Sequence, residues 1–425
     1  MALGIISGVL AVGAVGVSGV RVEGRPHQLV AEAAARDPDL AALYARRDGA
    51  PIWLRDGDVD PARLDALERL LDRAPSHGRS GDIAARMRAL AELSPAEAEI
   101  AISRLLVTYA RDLRRPPQGV GPLFVDPALP PASANLTAVF DAWDQAALEA
   151  ALDELDRLNP LYDALHADFA KTRDPQLLLN MDRVRALPAD LGDRHVLVDI
   201  ASSRLWLYEA GRPVAEMRVV VGAEDSPTPM LVGQLRRSVL QPYWNIPEDL
   251  VRTRFAPLAL QNGPGALKAA GLQVLSDWTP QAHEIAPEDV DWGAVRAGVV
   301  SQRLRQAPSS RNMMGVAKFM LPNRLGIYLH DTPYKADFAR THRALSAGCV
   351  RVEDADGLFA WIHGRDRIEV SDGRPEQSTP LARPMPIYIL YLTARPTLTG
   401  IERAPDIYGL DAEAMRARQA PPSQA

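Results

Sequence analysis

Apolar positions along this 425-residue chain change their spacing near its middle. From Gln28 to about residue 115, and again from Leu136 to Phe169, they return every three or four residues. Leu29-Val-Ala-Glu-Ala-Ala-Ala and Pro61-Ala-Arg-Leu-Asp-Ala-Leu-Glu-Arg-Leu-Leu-Asp-Arg are two such runs, each laying an apolar stripe along a helix. Between them, residues 115–135 hold Pro116-Pro-Gln-Gly-Val-Gly and Pro127-Ala-Leu-Pro-Pro-Ala-Ser, which read as a connector. From His195 the period becomes two. His195-Val-Leu-Val-Asp-Ile-Ala and Arg204-Leu-Trp-Leu-Tyr-Glu predict strands, and Ala210-Gly211-Arg212 turns the chain back into Val214–Gly222 as a hairpin. Residues 248–311 interrupt the strand pattern. Leu325-Gly-Ile-Tyr-Leu-His330 then reads as a short strand running into a loop. Helical spacing resumes near Glu353, with Glu353 or Asp354 available to cap it. Pro384–Thr393 is a further strand, and the tail 412–425 is expected to be disordered. Helices followed by strands predict an α+β chain, with a helical domain over 28–170 and a mostly β domain over 180–411.

Charge and composition narrow the partners. With 47% hydrophobic and 24% charged residues the chain is globular in bulk. A net charge of −6 and no basic stripe argue against nucleic acid. Residues 1–20 are apolar and free of charge up to Arg21, about as long as a minimal membrane span. They predict a signal peptide or membrane anchor over 1–24, although no basic residue precedes the stretch and no clear Ala-x-Ala site follows it.

The single cysteine, Cys349, changes the picture most. It rules out an internal disulfide and a multi-cysteine metal site. It lies in a polar stretch, Ser346-Ala-Gly348-Cys349-Val-Arg351, where a small buried hydrophobe would not be expected. A thiol attacks as thiolate, and an imidazole nearby can take its proton. His330 and His342 are the two candidate bases. Gly348 lets backbone N–H groups converge on one point, as an oxyanion hole requires. A helix N-terminus after Cys349 would further favour the thiolate. The other histidines match no metal spacing, and no metal or cofactor is expected.

His330-Asp-Thr-Pro, Arg343-Ala-Leu-Ser346 and Gly348-Cys-Val-Arg-Val352, in register, resemble the signature of L,D-transpeptidases with a YkuD-type catalytic domain. The likeness is strongest to the large periplasmic enzymes of Gram-negative bacteria and runs from about residue 40 to about 411. Tyr44–Leu54 and Ala101–Leu113 resemble elements of that family's helical scaffold domain, and Asn159-Pro160-Leu-Tyr162 its helix entering the catalytic half. The resemblance implies a helical scaffold followed by a YkuD-like β-sandwich with a capping subdomain inserted at 248–311. It departs in leaving no room between Tyr162 and Asn180 for a wall-binding module.

The function implied is transfer of a peptidoglycan stem peptide through a Cys349 thioester, giving 3-3 crosslinks in the periplasm, with carbapenems as inhibitors. Cys349 is then the nucleophile and His330 the general acid/base, with His342 an exposed loop residue. Gly348 supplies oxyanion backbone. Ser346 orients His330 or bonds the loop. Arg351 binds a substrate carboxylate or forms a salt bridge with Asp331 or Glu353. Tyr243 and Trp244 line the cleft or serve as core aromatics. The partners implied are donor and acceptor stem peptides and other cell-wall enzymes, at an inner membrane reached through residues 1–24. The same cysteine could serve water or a lipoprotein lysine as acceptor, and a non-catalytic wall-binding scaffold is the remaining alternative.

Overall fold

A computed structural model describes residues 26–79, 83–90, 92–365, 367–368 and 374–419. The apolar stretch 1–24 expected to be a leader or anchor lies outside these. Among the described residues no helix is long and apolar enough to cross a membrane. The described residues divide into two compact units, and the helical stretch is shared between them: residues 69–79 and 108–135 belong with those from 152 onward.

Among the described residues, the first unit draws on 26–68, 83–90, 92–107 and 136–151. Its core is tied together by a buried carboxylate. Glu99 accepts hydrogen bonds from the Tyr44 hydroxyl (2.5 Å) and the backbone N–H groups of Ile52 (2.7 Å) and Trp53 (2.8 Å). The Trp53 indole donates to Ser103 Oγ at 2.8 Å. Trp53 is fully buried, a core residue as its sequence context suggested. Burial raises the Glu99 pKa, and the three donors oppose that shift.

The second unit is built on a ten-stranded sheet. Arg194–Asp199, Arg204–Glu209 and Arg212–Gly222 form the expected antiparallel meander. Gln377–Leu390 pairs parallel with the first of these and antiparallel with Leu231–Leu240. Ala317–Met320 pairs with both Leu231–Leu240 and Leu329–His330, so the sheet closes on itself. Closure encloses an apolar core. Leu358, Phe359 and Ile362 of the helix Ala355–His363 are buried in that core. Asp354 caps this helix by accepting from the Gly357 N–H at 2.8 Å.

Two expectations change, and the bounds of a third shift. The Pro-rich connector is not wholly irregular: Leu123–Phe124 adds an edge strand beside Leu231–Val232, and Asp126 pairs with Arg236 at 2.7 Å. The tail is ordered as far as described, because Leu410–Gln419 is a helix. Asp406 accepts from the N–H groups of Asp411 and Ala412, and Arg183 pairs with Asp411 at 2.6 Å. The insertion at 248–311 is a folded subdomain. Trp244–Asn245, Leu272–Leu275, Glu284–Ile285 and Arg303–Gln306 make a separate four-stranded sheet. Trp244, Phe255, Leu267, Trp292, Leu304 and Met314 form its own core, so its boundaries reach slightly beyond the irregular stretch.

Candidate active site

Strand pairing sets the site. Leu329–His330 runs parallel to Val350–Val352, with His330 opposite Arg351. Only Leu329 and His330 of the expected Leu325–His330 strand are extended. Asn323 bends the rest: its Oδ1 accepts from the N–H groups of Leu325 (3.0 Å) and Ile327 (3.1 Å), the local bond by which Asn competes with strand structure. The turn presents the Gly326 carbonyl to Cys349, whose thiol donates to it at 3.5 Å.

Cys349 and His330 line one pocket of about 370 Å³. Ser346, Ala347 and Arg351 contribute from the cysteine segment, and Arg324 to Tyr328 from the turn. Trp244, Pro247, Asp249, Leu250, Met313 and Met314 contribute from the capping subdomain and its ends. The thiol is half-buried, and desolvation pushes its pKa up to about 11 against the Arg351 cation and a backbone hydrogen bond from Tyr328. His330 is buried, its Nδ1–H donating to the Asp331 carbonyl at 2.6 Å. That bond leaves Nε2 as the nitrogen able to accept a proton. Desolvation, helped by the Arg351 cation, lowers the His330 pKa to about 4. The resting pair is therefore neutral thiol and neutral imidazole. The strand Val350–Val352 and Glu353 separate Cys349 from the following helix.

The cysteine loop is held by its own serine and by a threonine. Ser346 Oγ donates to the Cys349 carbonyl at 2.6 Å and accepts from the Gly348 N–H at 3.2 Å. Of its two expected roles, loop bonding is the one seen. Gly348 has φ +104°, a conformation open to glycine and costly for other residues. Thr228 Oγ1 donates to the Gly348 carbonyl at 2.7 Å and accepts from the Gly222 N–H at 2.8 Å. Among the described residues no acceptor takes the Cys349 N–H.

Arg351 forms an ion pair, but with neither acid expected. Its partner is Asp337 at 3.3 Å. Glu353 is held by Arg218 instead, and Asp331 by Lys335 at 2.6 Å. Lys335 also donates to the Glu353 carbonyl at 2.8 Å, tying the histidine and cysteine segments together. Trp244 reaches the pocket while belonging to the subdomain core, so both of its readings hold. Tyr243 does not line it: Arg305 stacks on its ring at 4.1 Å. His342 is exposed. Gly315 was missed by sequence reasoning. Its φ is +59°, and a Cβ there would stand 2.2 Å from Asp331 Oδ2. Among the described residues no group of three or more His, Cys, Asp or Glu side chains could hold a metal ion.

The profile of the L,D-transpeptidase catalytic domain, YkuD, matches residues 193–370, and that of a scaffold domain matches 38–168. A Haemophilus influenzae protein provisionally named an L,D-transpeptidase is 32% identical over 245 residues, covering 56% of this chain and 48% of the relative. The chain thus spans about half the length of that relative. Among solved structures, a variant of the Enterococcus faecium L,D-transpeptidase matches at 11% identity and TM-score 0.24, covering 53% of this chain and 64% of that one. An L,D-transpeptidase from Mycobacterium smegmatis matches at 12% identity and TM-score 0.23, covering 46% and 58%. Residues 193–370 thus match the YkuD family of L,D-transpeptidase catalytic domains, with a segment that matches a scaffold domain before them.

Proposed function

We propose that this protein is a periplasmic peptidoglycan L,D-transpeptidase that forms 3-3 crosslinks, reaching the inner membrane through residues 1–24. The observation that carries the reading is one pocket holding the single cysteine, a neutral buried histidine and Arg351. Cys349 attacks the carbonyl between an L-centre and the terminal D-alanine of a donor stem peptide. His330, unprotonated at neutral pH, takes the thiol proton and returns it to the leaving amine. The Cys349 N–H stabilises the developing oxyanion, while the Gly348 N–H is held by Ser346 Oγ. The C–N bond breaks, D-alanine leaves, and the acyl group stays on sulfur as a thioester. The side-chain amine of diaminopimelate on an acceptor stem then attacks the thioester, restoring the thiol.

A raised thiol pKa fits this chemistry when substrate binding completes the ion pair, since catalytic contacts often tighten only in the complex. A carbapenem, whose strained lactam mimics the acyl donor, tests the acylation step. Intact-protein mass spectrometry should show one drug-derived adduct mapping to Cys349 and none on Cys349→Ala. An unmodified wild type, or an adduct on another residue, would contradict the reading.

A further inference from the structure

A tyrosine near the end of the chain reaches the segment that supports the cysteine loop. Tyr408 lies between the strand Gly400–Arg403 and the helix Leu410–Gln419. Its hydroxyl donates to the Gly222 carbonyl at 2.5 Å and accepts from the Thr228 N–H at 3.3 Å. Burial raises its pKa, so it stays a neutral donor. The ring is set from behind: the Tyr408 N–H donates to the Tyr391 hydroxyl at 2.9 Å, and the two rings stack at 5.5 Å. The segment held in this way, residues 222–228, carries the cysteine loop. The Ala223 N–H donates to the Ser346 carbonyl at 2.9 Å. Thr228 Oγ1 accepts from the Gly222 N–H at 2.8 Å and donates to the Gly348 carbonyl at 2.7 Å. A Cβ on Gly222 would stand 2.2 Å from the Ser226 carbonyl oxygen, so the segment turns tightly on itself. Thr228 thus has its backbone on Tyr408 and its side chain on Gly348.

A peptide unit is planar and trans, so its C=O and N–H point in opposite directions. The Gly348 carbonyl and the Cys349 N–H belong to one such unit. Holding that carbonyl on Thr228 turns the Cys349 N–H the other way, where among the described residues it has no acceptor. We propose that Tyr408 is a positioning residue that aims the Cys349 N–H at the oxyanion, acting through Thr228 and the plane of the Gly348–Cys349 peptide. The inference rests on the acyl-transfer reading and deepens it by naming what orients the oxyanion donor. The effect of Tyr408 falls on reactions that place negative charge on a carbonyl oxygen. Acylation by a carbapenem is one: sulfur attacks the lactam carbonyl, the C–N bond breaks, and the ring nitrogen takes the thiol proton through His330. Alkylation by iodoacetamide is not, because the thiolate displaces iodide from a saturated carbon and no oxyanion forms.

The experiment measures both rates on the full chain by intact-protein mass spectrometry. Tyr408→Phe keeps the ring and removes the hydroxyl. It should slow carbapenem acylation about tenfold, less than the roughly 10²–10³-fold cost of losing an oxyanion donor outright, while alkylation at about pH 9 stays within about twofold of wild type. In a Thr228→Val background the same change should slow acylation by less than about a further twofold, because the route to Gly348 is already cut. Tyr388→Phe controls for lost stability. It removes another tyrosine hydroxyl from a buried carbonyl, that of Leu191 at 3.0 Å, and should leave both rates within about twofold of wild type. Should Tyr408→Phe not fold, Tyr391→Phe, which frees the Tyr408 N–H, should slow acylation at least about threefold with alkylation unchanged. Equal slowing of acylation and alkylation in the folded variant, or acylation within about twofold of wild type, would overturn the assignment while leaving the acyl-transfer reading intact. A folded wild type that is alkylated at Cys349 but takes no carbapenem would overturn that reading and this inference together.

Discussion

At the scale of the residue, the proposed chemistry rests on a thiol that is protonated at rest. Its pKa near 11 lies well above that of an ordinary cysteine, about 8.5. At pH 7.5 iodoacetamide should therefore modify Cys349 roughly two orders of magnitude more slowly than a free cysteine, and the rate should climb with pH to about 10. Peptide-level mass spectrometry checks this, and a rate that levels off below pH 8 would show a preformed thiolate. That Cys349 and His330 share one pocket was legible in the sequence, because the motif around them is dense. The Arg351 partner was not legible. Asp337 lies fourteen positions earlier, in the spacer, and only the fold brings it to the guanidinium in preference to Asp331 or Glu353. Tyr243 and Trp244 are adjacent, yet one stacks under Arg305 and the other faces the pocket, a difference set by the capping subdomain.

At the scale of the element, short polar side chains fix the two catalytic loops. Thr228 bridges Gly222 and Gly348 while buried. Replacing it with valine keeps the shape but leaves a buried N–H and carbonyl without their partner, a loss of about 1–3 kcal/mol. Thr228→Val should lower the melting temperature and the rate of Cys349 acylation together, and Thr228→Ser should restore both. Unchanged acylation in a folded Thr228→Val protein would show that the loop holds without it. Gly315→Ala meets both a left-handed φ and the Asp331 carboxylate, so it should destabilise by at least about 1–3 kcal/mol in denaturant unfolding. A neutral effect would mean that the Asp331 contact yields easily. The hairpin strands and the helix after Cys349 were readable because their periodicity is regular. The turn at Asn323–Gly326 hid inside an apolar run, where hydrophobicity suggested strand and a single Asx bond decided otherwise. The connector strand Leu123–Phe124 was masked by its prolines, since it needs only the edge of a sheet made elsewhere.

At the scale of the whole molecule, closure of the sheet depends on pairings between segments far apart in sequence, which periodicity does not encode. The same closure buries His330, and its lowered pKa links the site to stability. A base whose folded pKa falls from 6.5 to about 4 binds its proton less readily when folded. Between those values the unfolded chain holds more protons, so stability rises with pH, and it is lost as pH falls from 6.5 toward 4. His166, also lowered to about 4 by burial, adds to this. Asp199, raised to about 6 by burial, acts in the opposite sense across roughly pH 4–6. The difference between wild type and His330→Gln isolates one contribution. Urea unfolding should show wild type losing about 2–3 kcal/mol relative to the variant between pH 7 and 4. Parallel stability curves would mean that His330 titrates normally.

The most direct test of the account is a mass-resolved muropeptide assay. The protein from about residue 25 onward is incubated with disaccharide-tetrapeptide beside Cys349→Ala and His330→Ala. The expected result is a dimer formed with loss of D-alanine, absent in Cys349→Ala and strongly reduced in His330→Ala. Tripeptide without dimer would make water the acceptor. Folded wild-type protein that leaves the muropeptide intact would contradict the transpeptidase account itself.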